Sequence, residues 1–218
     1  MKGIWYMDWL LLARSWFVLA VVASLVVGIF AIVKVPIGLI SFFPIFLTIQ
    51  ACSLVFADRN SGWNRFAATL PFSRARLLKN KYQMAALCAI AGLGIGLAGA
   101  WLLAWLLGPE AALDAQSVLI NVSIAMLISF SSAAILLPLA HVLKKHQEMV
   151  GAMISIAPSL LAVWWWQSRI QPLFENGQFI GVDMQQPLLN GLMVAAVLLF
   201  VTSAWIMPGI LEKRDLEK

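Results

Sequence analysis

The stretch 58-DRNSGWNRFAATLPFSRARLLKNKY-82 interrupts a chain that is otherwise almost continuous apolar sequence. Six of its residues are Lys or Arg. Each would cost about 2.5–3.5 kcal/mol at the centre of a bilayer, so the segment is expected in water or at lipid headgroups. The apolar runs on either side of it are then expected in hydrocarbon. Of all 218 residues, 62% are hydrophobic and 11% charged, and the mean hydropathy is +0.90. An ordinary soluble domain carries about 25% charged residues. The chain reads as an integral membrane protein.

A hydrocarbon core about 30 Å thick takes roughly 20 apolar residues per helix. Runs of that length fall at about 15–33, 36–57, 82–107, 117–140, 150–167 and 186–207, which makes six spans in one transmembrane domain over 1–218. Lys34 and Pro36 separate the first two in a tight hairpin, Gly108-Pro109-Glu110 ends the third, and His141 to Glu148 ends the fourth. The loop 168-SRIQPLFENGQFIGVDMQQP-187 is the longest on its side and reads as a solvated connection, with a gating role for the outer mouth as the alternative. With both termini inside, 13 of the 15 Lys and Arg face the cytoplasm, leaving Lys34 and Arg169 outside. That asymmetry sets the expected orientation. Trp101, Trp105 and Trp164 to Trp166 then end the third and fifth spans at the outer surface, as an aromatic belt does. A substrate-binding tryptophan cluster is the other reading of them. The expected fold is an all-α polytopic membrane protein, N-in and C-in.

Composition also removes functions. A net charge of +5 suits nucleic acid, but in a bilayer protein excess Lys and Arg mark cytoplasmic loops and contact with anionic lipid. No nucleic-acid partner is expected. Cys52 and Cys88 sit in apolar runs without CxxC, His or carboxylate at ligand spacing, so neither a metal nor a cofactor is expected. No Asp, Glu, Lys or Arg lies near the middle of a span, where ion- and proton-coupled carriers keep such groups. Energy for transport would have to come from elsewhere.

Three motifs in or at the edge of the spans read as structural. The run 92-GLGIGLAGA-100 lacks the Lys-Ser/Thr ending of a phosphate loop and follows no strand. Gly92, Gly96 and Ala100 instead form a small-xxx-small face for close helix packing, within the subunit or across a dimer. In 129-SFSSAA-134 the serines are expected to bond to their own backbone or to a neighbouring helix. His141 and His146, five residues apart, sit about 140° apart around a helix and do not share a face. No catalytic constellation is visible, and the chain is not expected to be an enzyme.

The island itself is patterned. Trp63, Phe66, Ala67 and Leu70 recur at i, i+3, i+4 and i+7, one apolar stripe of a short amphipathic helix with Asn60 and Ser61 available as caps. Pro71 stops that helix, and Ser73 can cap a second one, 74-RARLLKNKY-82, that runs into the third span. A push on the first element would then pass mechanically to a transmembrane helix. The N-terminal 2-KGIWYMDWLLLAR-14 suits an interfacial helix, with a simple extension of the first span as the alternative. Periodicity alone does not separate a partner-docking island from one that only anchors the loop to anionic lipid.

The segment 62-GWNRFAATLPFSRARLLKNKY-82, preceded by 58-DR-59, resembles the corresponding segment of ABC-2 type permeases of ATP-binding cassette exporters. The opening 1-MKGIWYMDWLLLAR-14 is similar to their Met-Lys-Gly start, and six spans match one permease subunit. The resemblance implies an elbow helix over 1–14 and a cytoplasmic coupling region over 58–81 that docks on a separate ATPase subunit. Carried onto this sequence, Trp63, Phe66 and Leu70 are the docking face, Arg65 and Arg74 polar contacts, and Pro71 and Ser73 the turn. The chain has no phosphate-loop motif of its own, so ATP hydrolysis would fall to the partner. Six helices are few to enclose a pathway, which calls for a second permease subunit, identical or not. The few polar groups in the spans point to an apolar or amphipathic cargo such as a peptide, antibiotic or lipid. The expected location is a bacterial inner or plasma membrane. The rival readings are a non-transporting immunity or assembly factor, and an intramembrane lipid enzyme for which no paired carboxylates or Ser/His arrangement is present.

Overall fold

The computed structural model describes residues 16–60, 74–108, 111–142, 147–165, 167–168 and 185–216. Among them are six α-helices and no strand: α1 (Trp16–Val33), α2 (Gly38–Asn60), α3 (Arg74–Leu107), α4 (Ala115–Val142), α5 (Glu148–Trp165) and α6 (Gln185–Leu216). Four of them, α2, α3, α4 and α6, are long and apolar enough to cross a membrane, and α1 and α5 carry shorter apolar stretches at Leu19–Val33 and Val150–Trp165. At 1.5 Å per residue the 34 residues of α3 extend about 51 Å, whereas the 18 of α1 reach about 27 Å.

The helix ends are written locally. Lys34 takes a left-handed conformation at φ 57°, and the Val35 N–H reaches back to the Phe30 carbonyl at 3.1 Å, closing α1 before Pro36 turns the chain into α2. Gly108, at φ 85°, closes α3 in the same region of backbone space. Asp114 caps α4, its Oδ2 accepting from the Ser117 N–H at 3.0 Å.

The centre of the bundle is the antiparallel pair α2 and α3, which share the largest interface. Its register runs the whole length of both helices. Gly92 faces Phe43 and Pro44, Gly96 faces Leu39 and Ile40, and Lys81 meets Asp58 at the far end. A Cβ on Gly92 would stand 2.7 Å from the Phe43 carbonyl oxygen, and one on Gly96 would stand 2.6 Å from that of Leu39. The two backbones therefore touch because those positions carry no side chain. Ala100, fully buried, continues the contact one turn further. Pro44 leaves α2 one backbone donor short at this crossing, and the Thr48 hydroxyl donates to the Pro44 carbonyl at 2.7 Å.

Helix α4 packs against α2 and α6, and α5 covers α4. Polar side chains fix these contacts at discrete levels. Ser41 of α2 donates to Asn121 Oδ1 of α4 at 3.1 Å, and Ser123 of α4 donates to Asn190 Oδ1 of α6 at 2.9 Å. Ser131 bonds back to its own helix at the Leu127 carbonyl, 2.6 Å away. Ser129 and Ser132 depart from the expectation for serines in a membrane helix: both hydroxyls are buried without a hydrogen-bond partner among the described residues. Leu127 and Ile128 on one side and Ala133 and Ala134 on the other belong to tightly packed apolar clusters, so these hydroxyls sit among groups that cannot bond them.

Candidate functional site

The segment from 61 to 73 lies outside the described residues, and with it Trp63, Arg65, Phe66, Leu70, Pro71 and Ser73. Arg74 opens α3, with only its backbone described. The structure does define the two ends from which that segment hangs. Helix α2 runs on to Asn60, and α3 is one unbroken helix from Arg74 into its apolar run, so the basic stretch 74–81 is helical and rigidly continuous with residues 82–107.

A salt bridge joins those two ends. Lys81 Nζ lies 2.7 Å from Asp58 Oδ2, and both side chains are only 8% exposed. This corrects one expectation: Lys81 is not a headgroup-facing charge of the island but a buried one, tolerated because its counter-charge is buried with it. Beside it Asn80 is buried as well, while Arg76 and Lys79 on the same turns are exposed. The described turns of α3 from Ala75 to Lys81 thus divide into a face that projects outward and a face that locks two helices together.

The lock extends into the bundle through the next residue. The Tyr82 and Ser203 hydroxyls are 2.7 Å apart, and Ser203 Oγ donates to the Ala134 carbonyl at 3.1 Å. Ser203 has one proton to give, so with that bond made the Tyr82 O–H is the donor between the two hydroxyls. Phe200 adds an edge-on ring contact to Tyr82 at 5.4 Å and another to Phe130 at 5.1 Å. Four helices, α2, α3, α4 and α6, are tied at Asp58 near the end of α2 and at Lys81 and Tyr82, two turns into α3. A displacement of α3 at this level is felt by α4 and α6 through directed bonds, not only through apolar contact.

The remaining candidates have structural places. Gly92, Gly96 and Ala100 pack α3 on α2 within the chain. His141 lies in the last turn of α4 with its side chain outside the described set, as is all of His146. Among the described residues no three His, Cys, Asp or Glu side chains gather as a metal site, and Cys52 and Cys88 are buried free thiols. Trp101, Trp105, Trp164 and Trp165 point away from the bundle and are exposed.

The salt bridge is not legible from hydropathy, which places Asp58 and Lys81 in one charged island without pairing them. Their signal was available in principle. Asp58 is the one acid in the island, and it sits where an antiparallel hairpin would place it opposite the start of the third apolar run.

No curated protein and no solved structure matches the chain. A family model described as ABC-2 family transporter protein matches residues 4–210, which takes in every described helix almost to the end of α6. A multi-pass helical membrane protein matched over nearly its whole length in this way is a permease component, and the chain belongs to the ABC-2 transporter family.

Proposed function

We propose that this chain is the permease subunit of an ATP-binding cassette exporter, with six spans, both termini in the cytoplasm and an interfacial elbow helix at residues 1–14. It moves an apolar or amphipathic compound, a peptide, antibiotic or lipid, across a bacterial inner or plasma membrane. ATP is hydrolysed by a separate subunit, and a second permease subunit completes the pathway. The 58–81 region docks on the ATPase through Trp63, Phe66 and Leu70, with Arg65 and Arg74 as polar contacts and Pro71 and Ser73 forming the turn.

The observation that carries this reading is the Asp58–Lys81 salt bridge at the root of the docking segment. A loop that served only to connect two spans would have no use for a buried ion pair at its base, since such a pair adds little net stability over apolar packing. A segment that must transmit displacement needs its two ends held as one body. Continuity of α3 from Arg74 onward supports the same transmission. ATP-driven closure of the partner would then switch the bundle between two arrangements.

The test is co-purification of the tagged chain from its host membrane in mild detergent, with ATPase activity measured on the complex. An ATPase is expected in stoichiometric amount, and Phe66→Ala combined with Leu70→Asp is expected to release it. Absence of any ATPase, or full retention by the double variant, overturns the docking role and leaves a non-transporting immunity or assembly factor.

A further inference from the structure

Helices α1 and α2 leave the 34–37 turn in contact and then part. Near the turn, Val27, Phe30 and Ala31 of α1 pack on the cluster built around Leu39, Ile40 and Phe43. Two turns earlier the α1 wall is formed by Leu19, Ala20 and Ala23, with Ala23 still touching that cluster. An open cleft of about 500 Å³ lies here, walled by α1 and by Phe43 and Phe46 of α2, and floored by α3 at Leu87 and Ala91. Clefts of roughly 300–1,000 Å³ accommodate small-molecule ligands. This one is lined by apolar side chains and extends from the level of the Gly92 crossing toward that of the Asp58–Lys81 pair.

Apolar lining alone selects nothing in a bilayer, because a lipid chain gains no hydrophobic energy by leaving other lipid chains. Selection has to come from fit and from what the ligand's other end meets. The floor helix supplies that second contact. Arg76, Lys79, Gln83 and Leu87 follow one another at i, i+3, i+7 and i+11 along α3, a single helical face, and all four are exposed. Lys79 stands two turns below Leu87, about 12 Å along the axis. Lys81, which would otherwise add to the same charge, points inward and is neutralised by Asp58. The exposed cations are thus aligned with the cleft at the membrane surface.

We propose that this cleft is a binding site for an anionic phospholipid, drawn from the leaflet on the side where α2 ends and α3 begins. One acyl chain lies between α1 and α3, and the phosphate headgroup sits at Lys79 and Arg76. The site stands independently of which compound the permease exports. Only the naming of that leaflet as cytoplasmic rests on the orientation proposed above, so a failure of ATPase docking and a failure of lipid binding are separate results.

The test uses the full chain reconstituted in vesicles of phosphatidylcholine doped with phosphatidylglycerol bearing a diazirine in its acyl chain, and in parallel with the matching labelled phosphatidylcholine. After illumination, labelled peptides are mapped and quantified. Labelling by phosphatidylglycerol is expected to concentrate on α3 around Leu87 and Ala91 and on the facing turn of α1. Ala91→Phe, which fills the floor, is expected to reduce that labelling, while Leu198→Phe on the exposed face of α6 leaves it unchanged. Lys79→Glu is expected to lower the preference for phosphatidylglycerol over phosphatidylcholine by at least about fivefold, the weight of one lost surface cation, with the new carboxylate acting in the same direction. Equal labelling of α6 and the cleft means an ordinary lipid annulus and overturns the proposal. So does an unchanged preference in Lys79→Glu. Labelling absent from the cleft altogether overturns it too, and would mean that the 1–15 segment or a second copy of the chain fills it.

Discussion

Substituting Lys81 by Met removes the ammonium from the Asp58–Lys81 pair while keeping an unbranched side chain of similar reach. At a separation of 2.7 Å and an effective dielectric near 20, the Coulomb attraction of such a pair is about 6 kcal/mol, most of it spent against the desolvation of both groups. What the substitution exposes is the desolvation: a buried carboxylate that loses this counter-charge costs up to about 3–5 kcal/mol. At about 2–4 °C per kcal/mol for a chain of this size, the midpoint of thermal unfolding should fall by up to roughly 6–20 °C. Asp58→Asn should be comparably damaging, since it strands the ammonium. The double variant Asp58→Asn with Lys81→Met leaves no buried charge and should return to within about 1 kcal/mol of the parent, because neutral replacement of a buried pair is often nearly free. The assay is the thermal melt of the detergent-solubilised chain followed by size-exclusion chromatography, completed as a double-mutant cycle. A single Lys81→Met variant that melts with the parent, or two single effects that simply add, would show that the pair does not join the two helices.

Three further outcomes follow from the packing. Gly96→Ala should destabilise by about 1–3 kcal/mol, because its new Cβ meets the Leu39 carbonyl, whereas Gly94→Ala, with open space at that position, should be neutral or stabilising by up to about 1 kcal/mol; melts of the two variants side by side check this. Ser132→Ala should stabilise the chain by about 1 kcal/mol, since it removes a buried hydroxyl that has no partner among the described residues, and a lower melting temperature would contradict the assignment. Tyr82→Phe should lose about 1 kcal/mol, the net worth of one hydrogen bond to Ser203, with the loss absent when Ser203→Ala is already in place.

The helices were legible from apolar run length because the bilayer fixes that length. The turn at Lys34 and Pro36 and the stop at Gly108 were legible because each rests on the backbone preference of single residues. The continuity of 74–82 with the following helix was readable from Ser73 and the absence of any breaker before Gly92. Lys81 was misread, since hydropathy prices each charge alone and says nothing of a partner 23 residues away in sequence. Ser203 was unreadable for the same reason: its role arises only once α6 lies between α3 and α4. The cleft depends on how α1 and α3 flank Phe43 and Phe46 of α2, a tertiary arrangement that a uniformly apolar run does not advertise. The candidate docking residues rested on a pattern within residues 63–74, which lie where the structure describes at most a backbone.

The Tyr82–Ser203–Ala134 connection spans 121 residues of sequence. During synthesis, α3 and α4 enter the membrane long before Ser203 leaves the ribosome. Until then the Tyr82 phenol faces the α4 side of an unfinished bundle, and α4 lacks the helix with which it shares one of its largest contacts. A nascent chain halted before α6 would therefore present a polar group and a bare helix face inside the lipid. Both are features that membrane chaperones and proteases can read. The same hydrogen bonds that tie α3, α4 and α6 together thus report that α6 has docked.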